Sequence, residues 1–109
     1  MTPTITLNDG HVLPLLGLGT VQSEGEDMAS TVTSALDAGY RLIDTALSYG
    51  SESGVGRAVA SSLVAREDIS ISTKIPGRFH GYDEAKGSAR TSLNDLAVDY
   101  IDLLEIAGF

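Results

Sequence analysis

The chain has 109 residues, 42% hydrophobic and 20% charged, with 15 acidic against 7 basic side chains and a formal net charge of −8. A chain of this size and composition is one globular domain, and its acidity argues against nucleic acid or anionic lipid as a partner, because phosphate is neutralised by clustered Lys and Arg. Cysteine is absent, which excludes disulfides, a thiol nucleophile and a thiolate metal site.

The N-terminal Met1-Thr2-Pro3-Thr4 has neither the basic region nor the apolar region of a signal peptide. No apolar run approaches the roughly 18 residues a membrane span needs. A soluble, cytoplasmic protein is the expectation.

Thr4 to Leu7 alternates polar and apolar, Asn8-Asp9-Gly10 turns the chain, and His11 to Pro14 returns. Asp-Gly between two such runs predicts a β-hairpin, with His11 as a surface residue of it. Leu15 to Thr20 predicts a short strand leaving through Gly17, Gly19 and Thr20. Glycines at such an exit let a backbone come close to a ligand, although a tight strand exit is the more frequent reason for them. Ser23 and Glu26 form a capping box. Met28, Val32, Ala35 and Leu36 then fall at helical spacing, with Gly39 as the C-terminal cap.

Leu42 and Ile43 predict a second strand of the series, which ends on the carboxylate of Asp44; Tyr49 follows five residues later in a loop. Val55, Ala58, Val59 and Leu63 predict the buried stripe of a helix capped by Ser51. Gly54 and Gly56 weaken its first turn, or else permit close packing against the preceding loop. Arg66-Glu67-Asp68 is a polar turn, and the strand from Ile69 to Lys74 ends in an ammonium thirty residues after Asp44. Pro76 to Gly81 is a loop carrying Phe79. A helix follows from Asp83, with Ala85, Ala89, Leu93 and Leu96 on one face and Asp83 and Glu84 at the positive end of its dipole. Tyr100 to Ile106 is the last predicted strand.

A hairpin, then strand and helix three times, then a strand, at intervals of about 25 to 30 residues, reads as parallel βαβ units. Periodicity leaves an open doubly wound sheet and a barrel as alternatives. In an α/β barrel the C-terminal ends of the strands carry the chemistry. An acid, a phenol and an amine delivered there are a candidate site. Singly, each has a plainer explanation: Asp44 as a turn former, Tyr49 as a packing residue, Lys74 as a solvated charge.

Leu16-Gly17-Leu18-Gly19-Thr20, Gly39 to Gly50, Ser72-Thr73-Lys74, Ser92 to Leu96 and Asp99 to Leu103, taken in this order, resemble the N-terminal part of an aldo-keto reductase. The resemblance is close to bacterial diketogluconate-reductase-like members. The resemblance implies the N-terminal half of a (β/α)8 TIM barrel whose leading hairpin closes the barrel's bottom, with residues 1–109 as a single partial domain. It implies NADPH-dependent reduction of a small-molecule aldehyde or ketone. Tyr49 is then the proton donor, Lys74 the ammonium that favours its phenolate, and Asp44 the anchor of Lys74. Gly19, Thr20 and Asp44 are implied as neighbours of NADPH, Val21 and Phe79 as walls of the substrate pocket. No metal is implied.

Two departures stand against this pattern. The family's fourth strand ends in a His-Trp-Pro segment, and Ala107 occupies the histidine's place; Glu105 replaces an apolar residue and points into the barrel on the same face. A barrel of this kind runs to about 250 residues, so much of the cofactor site is expected to be missing. The alternative to an enzyme is therefore a truncated, non-catalytic half-barrel that self-associates through open sheet edges. A Schiff-base role for Lys74 is a further option, which fits the Asp44 and Tyr49 pairing less well.

Overall fold

The computed structural model describes residues 3–20, 25–46, 52–76 and 81–106. Its elements in chain order are strands β1 (Thr4–Thr6), β2 (Val12–Pro14) and β3 (Gly17–Gly19), helix α1 (Gly25–Asp37) and strand β4 (Leu42–Asp44). Helix α2 (Glu52–Ser61), a 3-10 turn (Arg66–Asp68), strand β5 (Ser70–Ile75), helix α3 (Tyr82–Leu96) and strand β6 (Leu103–Ile106) follow.

β1 and β2 pair antiparallel as the expected hairpin, with Ile5 opposite Leu13. Gly10 takes φ +90 in the turn, and Asp9 accepts the His11 backbone N–H at 3.0 Å and pairs with its ring at 2.9 Å. His11 is the surface residue expected of it. These contacts with His11 hold the Asp9 carboxyl below its ordinary value.

The four remaining strands form one parallel sheet in the order β3-β4-β5-β6. The helices between them cover one face, which is the arrangement of the first four strands of a (β/α)8 barrel. Register does the sorting. Leu18, Ile43 and Ile71 lie side by side across three strands, and one residue further along so do Gly19, Asp44 and Ser72. Successive strand residues face opposite ways, so the apolar row meets the helices while the polar row faces the concave side.

The core follows from that row. Ile43 and Ile71 pack with Met28, Val32 and Leu36 of α1, with Val55, Ala58 and Val59 of α2, and with Leu96 of α3. Each of these side chains is buried. At about 25 cal/mol per Å2 of apolar surface, each large one contributes roughly 1.5–3 kcal/mol.

α1 stops where the sequence says it should. Gly39 takes φ +106; its N–H reaches the Leu36 carbonyl at 3.1 Å and the Tyr40 N–H reaches Ala35 at 3.0 Å. This is the double bond of a Schellman cap. α3 ends in the same motif, with Ala97 at φ 55 where glycine is the usual occupant. The Ser23 and Ser51 caps lie outside the described residues.

Three expectations need correction. α2 ends at Ser61, and Leu63 is fully exposed rather than part of its stripe. The buried face of α3 is Ser88, Ser92 and Leu96, with Ala85, Ala89 and Leu93 only half-buried at its flank. The last strand begins at Leu103, not Tyr100. The Asp102 carboxylate is committed elsewhere: it accepts the Ile71 N–H at 2.8 Å and pairs with Arg66 at 3.1 Å, which bends the chain before the strand starts. Arg66 also stacks over the Tyr100 ring at 4.0 Å.

Gly56 has a reason that the sequence left open. A Cβ there would overlap the Leu96 carbonyl and lie 2.8 Å from the Leu96 Cα. The close approach is to the end of α3, not to the loop before α2.

Candidate active site

β4 and β5 are neighbours in register, with Asp44 beside Ser72. Lys74 lies two residues beyond Ser72 on the same face. Its ammonium donates to Asp44 Oδ1 at 2.7 Å and to the Thr45 carbonyl at 3.3 Å. Lys74 is the more enclosed partner, with 19% of its side chain exposed against 39% for Asp44. A charge-assisted contact this short, partly shielded from water, holds an ammonium in place far better than a surface pair does. Ser72, a residue 4% exposed, completes the cluster: its hydroxyl donates to Asp44 Oδ1 at 2.5 Å and also lies 3.2 Å from Glu105 Oε1.

β3 brings its end to the same place. The Thr20 N–H and hydroxyl both reach the Asp44 carbonyl, at 3.2 and 3.1 Å, and Thr20 is fully buried. Gly19, in register with Asp44, has open space where a side chain would stand. Of the residues singled out from sequence, Gly19, Thr20, Asp44 and Lys74 therefore converge at the C-terminal ends of three adjacent parallel strands. Tyr49, Val21 and Phe79 lie outside the described residues, as does Ala107.

Glu105 sits opposite Lys74 in the β5–β6 register, on the concave side as expected. It meets the cost of placing a carboxylate there by remaining exposed to water while taking the Ser72 contact.

Sequence reasoning passed over Ser72 and Glu52. Ser72 was legible as the residue in step with Lys74 on an alternating strand. Glu52 opens α2 and is 2% exposed, yet a glutamate in a first helical turn normally signals a solvated partner of the dipole. Nothing in the local pattern marks it as interior. Burial is the main cause that pushes its carboxyl above the ordinary glutamate range; the Thr73 and Ser92 hydroxyls oppose the rise, and Asp95 adds to it.

The family model of the aldo/keto reductase family matches residues 15–108. The chain belongs to the aldo/keto reductase family. It is 50% identical over 101 residues to 2,5-diketo-D-gluconic acid reductase B of a Corynebacterium species, covering 93% of this chain and 36% of that protein. The fold matches the crystal structure of an aldo/keto reductase from Brucella melitensis with a TM-score of 0.94 at 45% identity, over 97% of this chain and 41% of that one. It also matches a Bombyx mori aldo-keto reductase solved in complex with NADP, with a TM-score of 0.88 at 38% identity, over 96% of this chain and 38% of that one. The chain thus spans little more than a third of the length of the curated relatives it matches. Aldo-keto reductase descent makes this an oxidoreductase lineage on a TIM-barrel fold. No described helix is long and apolar enough to cross a membrane.

Proposed function

We propose that this chain carries the proton-transfer side of a reductase site, taking aldehydes or ketones to alcohols with NADPH as hydride donor. The observation that supports the proposal most is the 2.7 Å contact between Lys74 and Asp44 at the C-terminal mouth of the sheet. Carbonyl reduction needs hydride at carbon and a proton at oxygen; bound NADPH supplies the first. This chain's residues arrange the second. Asp44 holds the Lys74 ammonium charged and aimed, and an ammonium beside a phenol favours the phenolate, so the Tyr49 hydroxyl can release its proton as negative charge grows on the substrate oxygen. Gly19 leaves a gap in the surface next to Asp44, the kind of cradle in which a flat ring approaches backbone. Residues 1–109 act here as one domain. Val21 and Phe79 belong to the proposal as pocket walls by position in the sequence.

The experiment is NADPH oxidation followed at 340 nm with a neutral aromatic aldehyde, on wild type, Tyr49→Phe and Lys74→Met. Turnover in wild type that both substitutions abolish supports the reading; turnover that survives both refutes it.

A second reading has its own observation. β3 and β6 flank the sheet, and Leu15, Leu16 and Leu104 near them are exposed. Apolar, half-paired edges accept further strands, whether from a longer chain or from a second copy of this one. A concentration-dependent mass in light scattering, without NADPH oxidation, favours a self-associating, non-catalytic half-barrel.

A further inference from the structure

Glu52 is a buried carboxyl for which the proposed chemistry has no use. It stands where α2 faces β5 and α3. Thr73 Oγ1 donates to its Oε2 at 2.6 Å. Ser92, from α3, is buried in the same layer at 1% exposure and acts on the carboxyl as well. Oε1 has no hydrogen-bond partner among the described residues. A helix gains the dipole benefit of a first-turn glutamate at the surface, whereas enclosing the carboxyl with an orphaned oxygen costs stability. What the enclosure achieves is mechanical. Thr73 immediately precedes Lys74 and points to the opposite face of β5. A strand residue anchored on the outer face cannot twist or slide without carrying its neighbour on the inner face. In sequence, Glu52 also follows Tyr49 by three residues, so the same anchor ties the start of the helix after the tyrosine to the strand that ends in the ammonium.

We propose that Glu52 is a positioning residue: acting through Thr73 from behind the sheet, it holds Lys74 in its contact with Asp44 and fixes the start of α2 to β5. The significance of that alignment rests on the reductase reading, but the linkage itself is among Glu52, Thr73 and Lys74.

The test compares the full chain with Glu52→Gln, Glu52→Ala and Thr73→Val, using the 15N resonance of the lysine side-chain ammonium and backbone amide exchange. The chain has two lysines, and exposed Lys86 serves as the internal control. The Lys74 ammonium, held by Asp44 and Thr45, is expected as a slowly exchanging signal in wild type and in Glu52→Gln, lost in Glu52→Ala and Thr73→Val. The Thr45 and Lys74 amides should exchange about tenfold faster in the last two, with the Ile43 and Ile71 amides unchanged. Where NADPH-dependent turnover is present, kcat falls and the aldehyde KM holds, with rescue by glutamine. An unchanged ammonium signal in both disrupting variants overturns the proposal, and so does uniform loosening of the whole sheet. Should Glu52→Ala fail to fold, Thr73→Val, which keeps the side chain's shape, decides the question. Absence of turnover in wild type refutes the reductase reading and leaves the ammonium result to stand by itself.

Discussion

Two helical glycines should respond to the same substitution with opposite signs. Gly56 in α2 and Gly87 in α3 both lie within helices, where alanine is favoured over glycine by roughly 1 kcal/mol. At Gly87 an added Cβ meets nothing within 4 Å, so Gly87→Ala should realise that gain. At Gly56 the added methyl runs into the backbone of Leu96, a residue with no exposed surface. Main-chain atoms cannot rotate aside as a side chain can, so α2 and α3 must separate. Overpacking of this kind costs about 1–3 kcal/mol, and sometimes more. Because the obstacle is backbone, the upper end applies; after the helical gain is subtracted, Gly56→Ala should lose about 2 kcal/mol. With about 4–8 °C per kcal/mol for a domain of this size, the melting temperature should drop by about 10 °C in Gly56→Ala and rise by about 5 °C in Gly87→Ala. Far-ultraviolet circular dichroism during thermal and urea unfolding measures both. A Gly56→Ala protein that melts at or above wild type would refute the idea that this glycine exists for the α2–α3 contact.

Other positions give sharper single tests. Ala97→Gly relieves a left-handed alanine at the end of α3 and should stabilise by about 0.5–1 kcal/mol, after the added freedom of glycine in the unfolded chain is allowed for; urea midpoints will show it. Asp102→Ala strands the Ile71 N–H and removes one Arg66 partner, so a loss of about 1–3 kcal/mol is expected from the same assay. Glu52 makes stability depend on pH in a definite direction. Its folded carboxyl is raised by burial, so the folded chain holds this proton more tightly than the unfolded one. Its contribution is complete below the ordinary glutamate range and is lost as pH climbs through the raised folded value. Glu52→Gln should flatten that decline in urea midpoints measured from pH 4 upward; an unchanged slope would show that Glu52 is not the group responsible.

Much of this architecture was legible because local and global signals agree. Alternation puts Ile43 and Ile71 against the helices and Asp44, Ser72 and Lys74 on the concave face, which is how Asp44 and Lys74 come to touch across thirty residues. Gly39 ends α1 because the chain needs a positive φ there. What stayed hidden depends on partners distant in sequence. Asp102 looks like part of a strand until Arg66 and the Ile71 amide claim its carboxylate. Ser92 looks solvated until Glu52 turns inward beside it. Leu63 looks like the end of an apolar stripe, but α2 stops before it, and nothing local to Ser61-Ser62-Leu63 announces the stop.

The reductase reading places the cofactor at one end of the sheet, and amide chemical shifts recorded while NADPH is added to the labelled chain locate it without requiring turnover. Gly19, Thr20, Asp44 and Thr45 should move together, while Gly39 and Ala97, at the opposite ends of the strands, stay in place. Shifts confined to that opposite end, or none at millimolar NADPH, would contradict it.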